Sequence, residues 1–561
     1  MSFKISIAQL NLKVGDLKGN SDQIIAHAEQ AYANGASWVL SPELSISSYA
    51  PEDLVFRPSF IADCQAQLQR IAAALAHLKG LSVWVGYPVN DVAKGACFNA
   101  MSRVFEGQIL DTYFKQELPN YAVFDEQRYF SSGQQLGLFE LPIRSDSSTL
   151  VKVGLLICED AWKPRLASLL KDAGAQILLV ANASPFHKGK AQEREIVMSQ
   201  RCLETNLPLV YTHMVGGQDE FVFDGASFAL NAQGQVVARA KSFAPDDLYL
   251  EVNGPAAAAT QALEIATPAA VQPHMELLES IWHALVIGVR DYIGKNRFPG
   301  ALLGLSGGVD SALVLAVAVD AIGADKVRAV MMPSPYTADI SVVDAREMAK
   351  RVGIVYDEIS ILPQFEAFKQ SLSPIFEGRP EDTTEENIQA RIRGVFLMAM
   401  SNKLGHIVLT TGNKSELSTG YCTLYGDMAG GFAVIKDLLK TTVYDLCYWR
   451  NQNNPYKTVN DPIPLRILTR PPSAELRPDQ TDQDSLPEYD VLDAIVELYM
   501  EQNVSINDIV AQGFIRADVE KVARLIKINE YKRRQAPVGV RISRRSFGKD
   551  WRYPITNSYL A

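Results

Sequence analysis

The segment from Ala301 to Ala324, ALLGLSGGVDSALVLAVAVDAIGA, constrains the fold of this chain more than any other stretch. An apolar run leads into Ser-Gly-Gly-Val-Asp-Ser, and a second apolar run follows that is long enough for several helical turns. A strand that enters a helix through a glycine-rich turn presents backbone N–H groups and the positive end of the helix dipole, which together bind anions. We therefore predict a strand–loop–helix unit of an α/β domain, with phosphate at the loop.

The residues of this loop indicate how phosphate would be held. Gly307 and Gly308 allow the backbone to approach a ligand closely, and the hydroxyls of Ser306 and Ser311 can donate to phosphate oxygens. The loop lacks the lysine of a Walker A sequence and carries Asp310 instead. Because a carboxylate repels bare phosphate, we expect a magnesium ion between the two. A structural glycine turn at a helix N-cap is the alternative interpretation.

The rest of the chain divides around a change in composition. With 561 residues, the chain is longer than one hydrophobic core usually serves. Short strand-like runs separated by helix-like stretches predict an α/β domain over residues 1–252. Residues 253–273 are rich in Ala and Pro and predict a linker or a draped connection. Alternating strands and helices over residues 274–561 are typical of a doubly wound parallel sheet.

Composition limits the partners and the compartment. The net charge of −10 and the isoelectric point near 5.4 disfavour nucleic acid as a partner, since that affinity depends on Lys and Arg. Six cysteines without close CxxC pairs favour neither a disulfide framework nor a zinc site. The sequence shows no secretory leader pattern and no long uncharged apolar stretch. We therefore expect a cytoplasmic protein without a membrane partner.

A second chemical signal lies in VKVGLLICEDAW, which places Cys158 at the carboxyl end of an apolar run. A lone cysteine is most often a small buried hydrophobe. A thiol nucleophile needs a base and a group that stabilises an oxyanion, and both partners can be distant in sequence. The segment LSPELSISSY puts Glu43 after one strand, and FKQELPNYAVFDEQRYF puts Lys115 after another. These two segments supply the carboxylate and the cation that a reactive thiol would need.

These segments resemble the Glu, Lys and Cys triad of the nitrilase, or carbon-nitrogen hydrolase, superfamily. The resemblance covers the domain at residues 1–252 and implies a nitrilase-like αββα sandwich. It implies that Glu43 is the general base, that Lys115 stabilises the tetrahedral intermediate and that Cys158 forms a thioester. Glu126 resembles the additional carboxylate of the superfamily, with an exposed loop acid as the alternative. The residues that resemble those of a glutamine site are Tyr121, Ser184 and Lys190.

The loop at Ser306–Ser311 resembles the SGGxDS signature of the N-type ATP pyrophosphatases, which cleave ATP between its α and β phosphates and adenylate a substrate. Four later segments resemble the glutamine-dependent NAD synthetases: MMPSPYTADISVVDA, NIQARIRG, TTGNKSELSTGYCTLYGDMAGGFAVIKDLLKT and EYKRRQAP. The resemblance implies ATP-dependent amidation of deamido-NAD (nicotinic acid adenine dinucleotide) to NAD through an adenylated intermediate, with ammonia from glutamine. AMP, pyrophosphate and glutamate would be the other products. The segment GDMAGGFAVIKD lacks the acidic residue and the proline of many ammonia-dependent relatives.

The same resemblance implies a set of site residues and partners. Asp310 and Glu416 are the implied magnesium ligands. The implied ATP-binding residues are Gly304, Leu305, Ser306, Gly307, Gly308, Val309, Asp310, Ser311, Arg393, Thr411, Lys440 and Ser473. The implied deamido-NAD-binding residues are Arg391, Glu416, Asp427 and Lys532. We expect a homo-oligomer that uses glutamine or ammonia, ATP and deamido-NAD.

Two rival functions remain open at this stage. The first is an enzyme with another acceptor, as in GMP or asparagine synthesis, although those enzymes typically carry a different glutaminase. The second is a nucleotide-binding protein on a degenerate amidase scaffold. The presence of Glu43, Lys115 and Cys158 argues against a pure binding protein, because such a protein has no need of a nucleophile.

Overall fold

The computed structural model describes residues 2–91, 95–143, 150–253, 262–266, 270–477, 480 and 486–559. The chain forms two compact units. The first contains Met1–Gln218 and Val222–Glu276, and the second contains Asp219–Phe221 and Leu277–Ala561.

Two β-sheets form the centre of the first unit. The seven-stranded sheet has, in spatial order, β15 (Glu264–Ala266), β14 (Asp246–Asn253), β1 (Ser2–Gln9), β2 (Trp38–Leu40), β3 (Ser82–Asp91), β4 (Ala96–Phe105) and β5 (Gln108–Phe114). The six-stranded sheet has β13 (Val236–Arg239), β12 (Phe228–Leu230), β9 (Leu209–His213), β8 (Ile177–Asn182), β7 (Leu150–Ile157) and β6 (Leu138–Pro142). The short strands β10 (Val215–Gln218) and β11 (Phe221–Asp224) pair separately.

Alternating side chains in these strands build two apolar layers. Leu155 and Ile157 of β7 join buried residues of the other sheet, including Trp38, in a core between the sheets. Leu156, between them, packs on the opposite face in a cluster with helical residues. This is the two-residue period of a strand, and burial of both faces explains why β7 is continuously apolar after Lys152.

Helices cover the outer faces of the two sheets. α1 and α2 pack against the first sheet, and α5 and α6 pack against the second. The predicted αββα sandwich is therefore confirmed. The helices are α1 (Leu17–Ala33), α2 (Pro58–Ala74), α3 (Glu126–Tyr129), α4 (Glu159–Trp162), α5 (Pro164–Asp172) and α6 (Lys190–Thr205).

The segment at residues 253–273 differs from a free linker where the structure describes it. Strand β15 pairs antiparallel with β14, with Val252 opposite Ile265. Leu263 and Ile265 are buried in the core between the sheets, and this burial explains why the segment is held against the first unit. Of the two predicted alternatives, the described residues agree with the draped connection, and they add a strand to the sheet. Residues 254–261 and 267–269 of the segment lie outside the described residues.

The second unit contains a five-stranded sheet in which neighbouring strands are parallel. Its order is β18 (Val355–Glu358), β17 (Val327–Met331), β16 (Ala301–Gly304), β19 (Ile407–Thr410) and β20 (Phe432–Ala433). The order reverses between β16 and β19, and in such sheets ligands bind at the carboxyl ends of the strands beside that reversal. The predicted doubly wound sheet is confirmed.

The helices of the second unit begin with a long amphipathic helix before the first strand. They are α7 (Leu277–Lys295), α8 (Val309–Ile322), α9 (Asp339–Val352), α10 (Leu362–Phe376), α11 (Thr383–Leu404), α12 (Lys414–Thr419), α13 (Lys440–Gln452), α14 (Leu465–Thr469), α15 (Tyr489–Val496), α16 (Ile506–Ala511), α17 (Arg516–Ile528) and α18 (Glu530–Arg533). α8 follows the Ser306–Ser311 loop and is apolar on nearly all sides, because it packs between the sheet and both α7 and α13. No helix in the described part of the chain has the length and apolar character needed to cross a bilayer.

Candidate active sites

Cys158 lies where β7 ends and α4 begins. Its φ of 48° and ψ of −104° place a non-glycine residue in a strained backbone region, and such strain clusters at functional sites. The Cys158 backbone N–H donates to the Ala181 carbonyl at 2.8 Å, which anchors the turn to the end of β8. The side chain is buried. The turn therefore holds the thiol in a fixed position at the carboxyl end of its strand.

Lys115 lies between two buried carboxylates. Its Nζ donates to Glu43 Oε1 at 2.7 Å and to Glu126 Oε1 at 2.9 Å, and all three side chains are nearly inaccessible to solvent. Glu43 follows β2 and Lys115 follows β5, so both come from the carboxyl ends of strands in the first sheet. Glu126 is the first residue of α3 and also accepts from the Tyr49 hydroxyl at 3.0 Å. The structure thus brings together Glu43, Lys115 and Glu126.

The charges of this cluster shift the pKa values of its members. Burial raises the pKa of Cys158 well above its usual value, Glu43 raises it further, and Lys115 opposes them. Burial alone would lower the pKa of Lys115, but the carboxylates of Glu126 and Glu43 outweigh it and hold that pKa well above normal. Burial raises the pKa of Glu126 to about 7 against the effect of Lys115. The thiol is therefore protonated near neutral pH and needs a base to react.

The predicted glutamine-site residues lie on segments next to Cys158. The Tyr121 hydroxyl donates to Glu159 Oε2 at 2.9 Å, and Glu159 directly follows Cys158 in the chain. Lys190 Nζ lies 3.8 Å from the centroid of the Trp162 ring, and burial lowers the pKa of this lysine to about 8. Ser184 follows β8, and its hydroxyl accepts from Arg194 Nε at 3.1 Å. The sequence interpretation missed Glu159 and Arg194.

In the second unit, one cavity opens at the carboxyl ends of β16 and β19. It is lined by the whole loop from Gly304 to Ser311. Within this loop, Ser306 Oγ and Ser311 Oγ lie 3.1 Å apart, and the Gly308 N–H donates to Ser306 Oγ at 3.2 Å. The other predicted residues that line the same cavity are Arg393, Thr411, Glu416, Asp427, Lys440 and Ser473.

Asp310 is the centre of the polar contacts in this cavity. Its Oδ2 pairs with Lys440 Nζ, and its Oδ1 accepts from Asn413 Nδ2 at 2.9 Å. The backbone N–H of Asn413 donates to Glu416 Oε2 at 3.1 Å within a capping box. Asn413 therefore links the two carboxylates that the sequence interpretation assigned to magnesium, and this asparagine was missed. In the described part of the chain, no cluster of three or more His, Cys, Asp or Glu ligands occurs.

Arg393 presents a half-buried positive charge to the cavity. Its Nε donates to the Met332 carbonyl at 3.0 Å, and no ion pair of Arg393 is found among the described residues. Burial lowers the pKa of Arg393 to about 10, while the charges of Glu475 and Asp427 oppose that shift. A guanidinium in this state favours an anionic ligand, because a phosphate would replace the lost hydration.

Two predicted residues lie outside the lining of this cavity. Arg391 Nε donates to the Leu424 carbonyl at 3.2 Å, and Lys532 Nζ donates to the carbonyls of Gly420 and Cys422 at 2.7 and 2.8 Å. Asp427 accepts from the Thr423 N–H at 2.7 Å and reaches the cavity as well. Three of the four residues assigned to deamido-NAD therefore meet at one segment, 420–424, and the fourth, Glu416, lines the cavity.

A cluster that the sequence did not predict also lines the cavity. Arg470 Nη1 donates to Ser341 Oγ at 2.6 Å, and Arg470 Nη2 donates to Glu475 Oε1 at 2.5 Å. Ser341 Oγ in turn donates to Glu475 Oε1 at 2.6 Å. Ser341 lies far along the chain from Arg470 and Glu475, so no local pattern marked the three residues as partners.

Comparisons with known proteins assign a family to each half. A model of the carbon-nitrogen hydrolase family matches residues 4–261, and a model of the NAD synthase family matches residues 281–536. A glutamine-dependent NAD(+) synthetase from Acinetobacter baylyi is 45% identical over 558 residues, which cover 100% of this chain and 99% of the relative. A relative of that name from Thermotoga maritima is 43% identical and covers 99% of both chains.

The solved structures agree with these relatives. A glutamine-dependent NAD+ synthetase from Acinetobacter baumannii, in complex with adenosine diphosphate, superposes with a TM-score of 0.77 at 42% identity over 99% of both chains. The matched length spans both units of the chain. The chain thus belongs to the family of the glutamine-dependent NAD(+) synthetases, which are ligases with glutamine as the amido donor.

Proposed function

We propose that the Cys158 site releases ammonia from glutamine and that the cavity at the Ser306–Ser311 loop uses ATP to activate deamido-NAD for attack by that ammonia. The observation that carries this proposal is the presence, in one chain of this family, of a buried Cys–Lys–Glu cluster and a glycine-rich anion loop. Each site alone fits several chemistries. Together they fit amide transfer to an activated carboxylate.

At the first site, Glu43 takes the thiol proton as Cys158 attacks the carboxamide carbon of glutamine. Lys115 has three N–H donors, and Glu43 and Glu126 occupy two of them, which leaves one for the developing oxyanion. Glu43 then returns the proton to the nitrogen, the C–N bond breaks and ammonia leaves. Water hydrolyses the thioester to glutamate and restores the thiol.

Recognition of glutamine follows from its two charged groups. Lys190 supplies a cation for the α-carboxylate, and Glu159 supplies an anion for the α-ammonium group. Tyr121 orients Glu159 through their hydrogen bond, and Arg194 orients the Ser184 hydroxyl. An amide without these charged groups would lack both ion pairs and would bind more weakly.

At the second site, the backbone N–H groups after β16 and the cations Arg393 and Lys440 receive the phosphates of ATP. Asp310 and Glu416 would supply carboxylate ligands to a magnesium ion. The remaining ligands of that ion would be phosphate and water, as is common for magnesium sites. This ion would neutralise charge on the phosphates when bound. Arg391, Asp427 and Lys532 receive deamido-NAD at the 420–424 segment.

We also propose a homo-oligomer in the cytoplasm. All six cysteines are free, and four of them are buried, which suits a reducing compartment. Light scattering of the purified chain would give the number of subunits.

The test of the function is a product assay with deamido-NAD, ATP and magnesium, run once with glutamine and once with an ammonium salt. We expect NAD, AMP and pyrophosphate in both reactions and glutamate in the first only. Formation of ADP and phosphate in place of AMP and pyrophosphate would contradict the assignment of the second site.

A further inference from the structure

Glu43 uses only one of its two oxygens for hydrogen bonds. Oε1 accepts from Lys115 Nζ at 2.7 Å and from Asn99 Nδ2 at 2.8 Å. Oε2 is buried and has no hydrogen-bond partner in the part of the chain that the structure describes. A carboxylate that must accept a proton needs an oxygen with a free lone pair. Oε2 is therefore the basic oxygen, and its direction depends on what holds Oε1.

Asn99 contacts both neighbours in this arrangement. It lies within β4, and its backbone carbonyl accepts from the Lys115 N–H at 2.9 Å. Its side-chain amide donates to Glu43. One residue thus fixes the backbone at the lysine and the carboxylate of the base, so the spacing between Glu43 and Lys115 depends on it.

A comparison with Asn20 separates this role from a purely structural one. Both asparagines are 1% exposed. Asn20 donates to the carbonyls of Lys13 and Ile46 and accepts from the Lys13 N–H, so both ends of its amide are satisfied. Asn99 Oδ1 is buried with no partner among the described residues. Because an unsatisfied buried acceptor destabilises the fold, stability alone does not account for an asparagine at position 99.

We propose that Asn99 is a positioning residue of the amidase reaction. It holds Glu43 Oε1 so that Oε2 receives the proton from Cys158 Sγ and later returns it to the leaving nitrogen as ammonia departs. An amide is suited to this role because it donates without competing for the proton. The proposal rests on the assignment of Glu43 as the base in the proposed function.

The variant Asn99→Asp keeps the shape and replaces the donor by a carboxylate. The titratable and charged groups that already face Glu43 are Lys115, Glu126, Cys158 and Tyr49. A further carboxylate in contact with Glu43 would share a proton with it, so the pH at which glutamine-supported activity appears should rise by about one unit or more. At pH 7.5 we expect glutamine-supported activity to fall by about 10- to 100-fold, as for other groups that orient a functional residue.

The variant Asn99→Ala removes the donor without adding charge. Its kcat with glutamine should fall by about 10- to 100-fold while KM for glutamine changes little. Tyr87→Phe is the matched control, since it removes a buried hydroxyl that bonds Ser102 on the same strand as Asn99. This control should keep both activities.

Ammonium-supported synthesis reports whether each variant folds. For both Asn99 variants it should stay within about twofold of the wild type, because the second site does not need the base. An unshifted pH profile for Asn99→Asp, or an equal loss with glutamine and with ammonium, would overturn the proposal. If Cys158→Ala still used glutamine, the failure would instead lie with the proposed amidase site.

Discussion

Lys115 and Lys440 each pair with carboxylates, but the cluster around Lys115 is closed to solvent and the site around Lys440 is open. Lys115 is sealed between Glu43 and Glu126, and these three side chains are at most 4% exposed. Lys440 pairs with Asp310, which is 17% exposed and lines an open cavity. The amidase cluster is therefore assembled before its substrate arrives. The charges in the cavity of the second unit would rearrange if it received ATP and magnesium as proposed.

The contrast follows from the chemistry of the two substrates. Glutamine brings a neutral carboxamide to the nucleophile, so the protein must supply every charge that acts on it. ATP brings several negative charges, so a site that receives it needs cations that can pair with them, and Arg393 has no ion pair among the described residues. Variants at the two sites should therefore differ in which nitrogen source they affect.

The largest effect should come from Asp310→Asn. Because adenylation precedes the use of either nitrogen source, we expect both glutamine- and ammonium-supported synthesis to fall by about 10³-fold or more. Release of AMP and pyrophosphate from ATP with deamido-NAD is the measurement. Thioester formation at Cys158 should persist, which checks that the amidase unit remains folded. Normal AMP release by this variant would contradict the assignment of Asp310 to the ATP site.

Lys115→Met should give the next largest effect. Loss of a group that stabilises an oxyanion typically lowers kcat by about 10²–10³-fold, and here only glutamine-supported synthesis should respond. Removal of the lysine also leaves Glu43 and Glu126 without their cation, so the unfolding midpoint should be measured in parallel. A variant that retained wild-type glutamine use would contradict the role of Lys115.

Arg393→Met should have an intermediate effect. If Arg393 contacts phosphate as proposed, removing its half-buried charge should cost about 2–3 kcal/mol, or about 10²-fold in kcat/KM for ATP. Arg328→Met is the matched control, because Arg328 on β17 pairs with Asp357 near the surface and does not line the cavity. Equal behaviour of the two variants would argue against a phosphate contact at Arg393.

The smallest effect concerns the pH dependence of glutamine binding. Lys190 has a pKa of about 8, lowered by burial, so its charge is present below that pH and is lost as the pH rises. KM for glutamine should therefore increase by about tenfold between pH 7 and pH 9. Glutamine itself titrates in this range, so Lys190→Arg serves as the reference. An identical pH dependence in both proteins would exclude Lys190 from the carboxylate contact.

Local patterns predicted the elements that position the chemistry. The apolar runs before Cys158 and before Ser306 became β7 and β16, since buried parallel strands are continuously apolar. Resemblance to known motifs supplied Glu43, Lys115 and Asp310, which the structure places in two polar clusters.

Residues whose roles depend only on tertiary contacts could not be predicted from the sequence. Asn99 lies in the middle of a strand, where nothing nearby marks it as a partner of Glu43. Ser341 meets Arg470 and Glu475 only after distant segments fold together. Strand β15 was not predicted, because three residues within an Ala- and Pro-rich segment are too few to show an alternating pattern.

The central claim is that nitrogen release and acceptor activation occur at separate sites of one chain. The most direct test is the rate of NAD formation by Cys158→Ala with glutamine and with an ammonium salt, relative to the wild type. We predict that the glutamine reaction is abolished while the ammonium reaction is retained, because the thiol is needed only to release nitrogen. Glutamine use at the wild-type rate, or an equal loss with both nitrogen sources, would contradict the account.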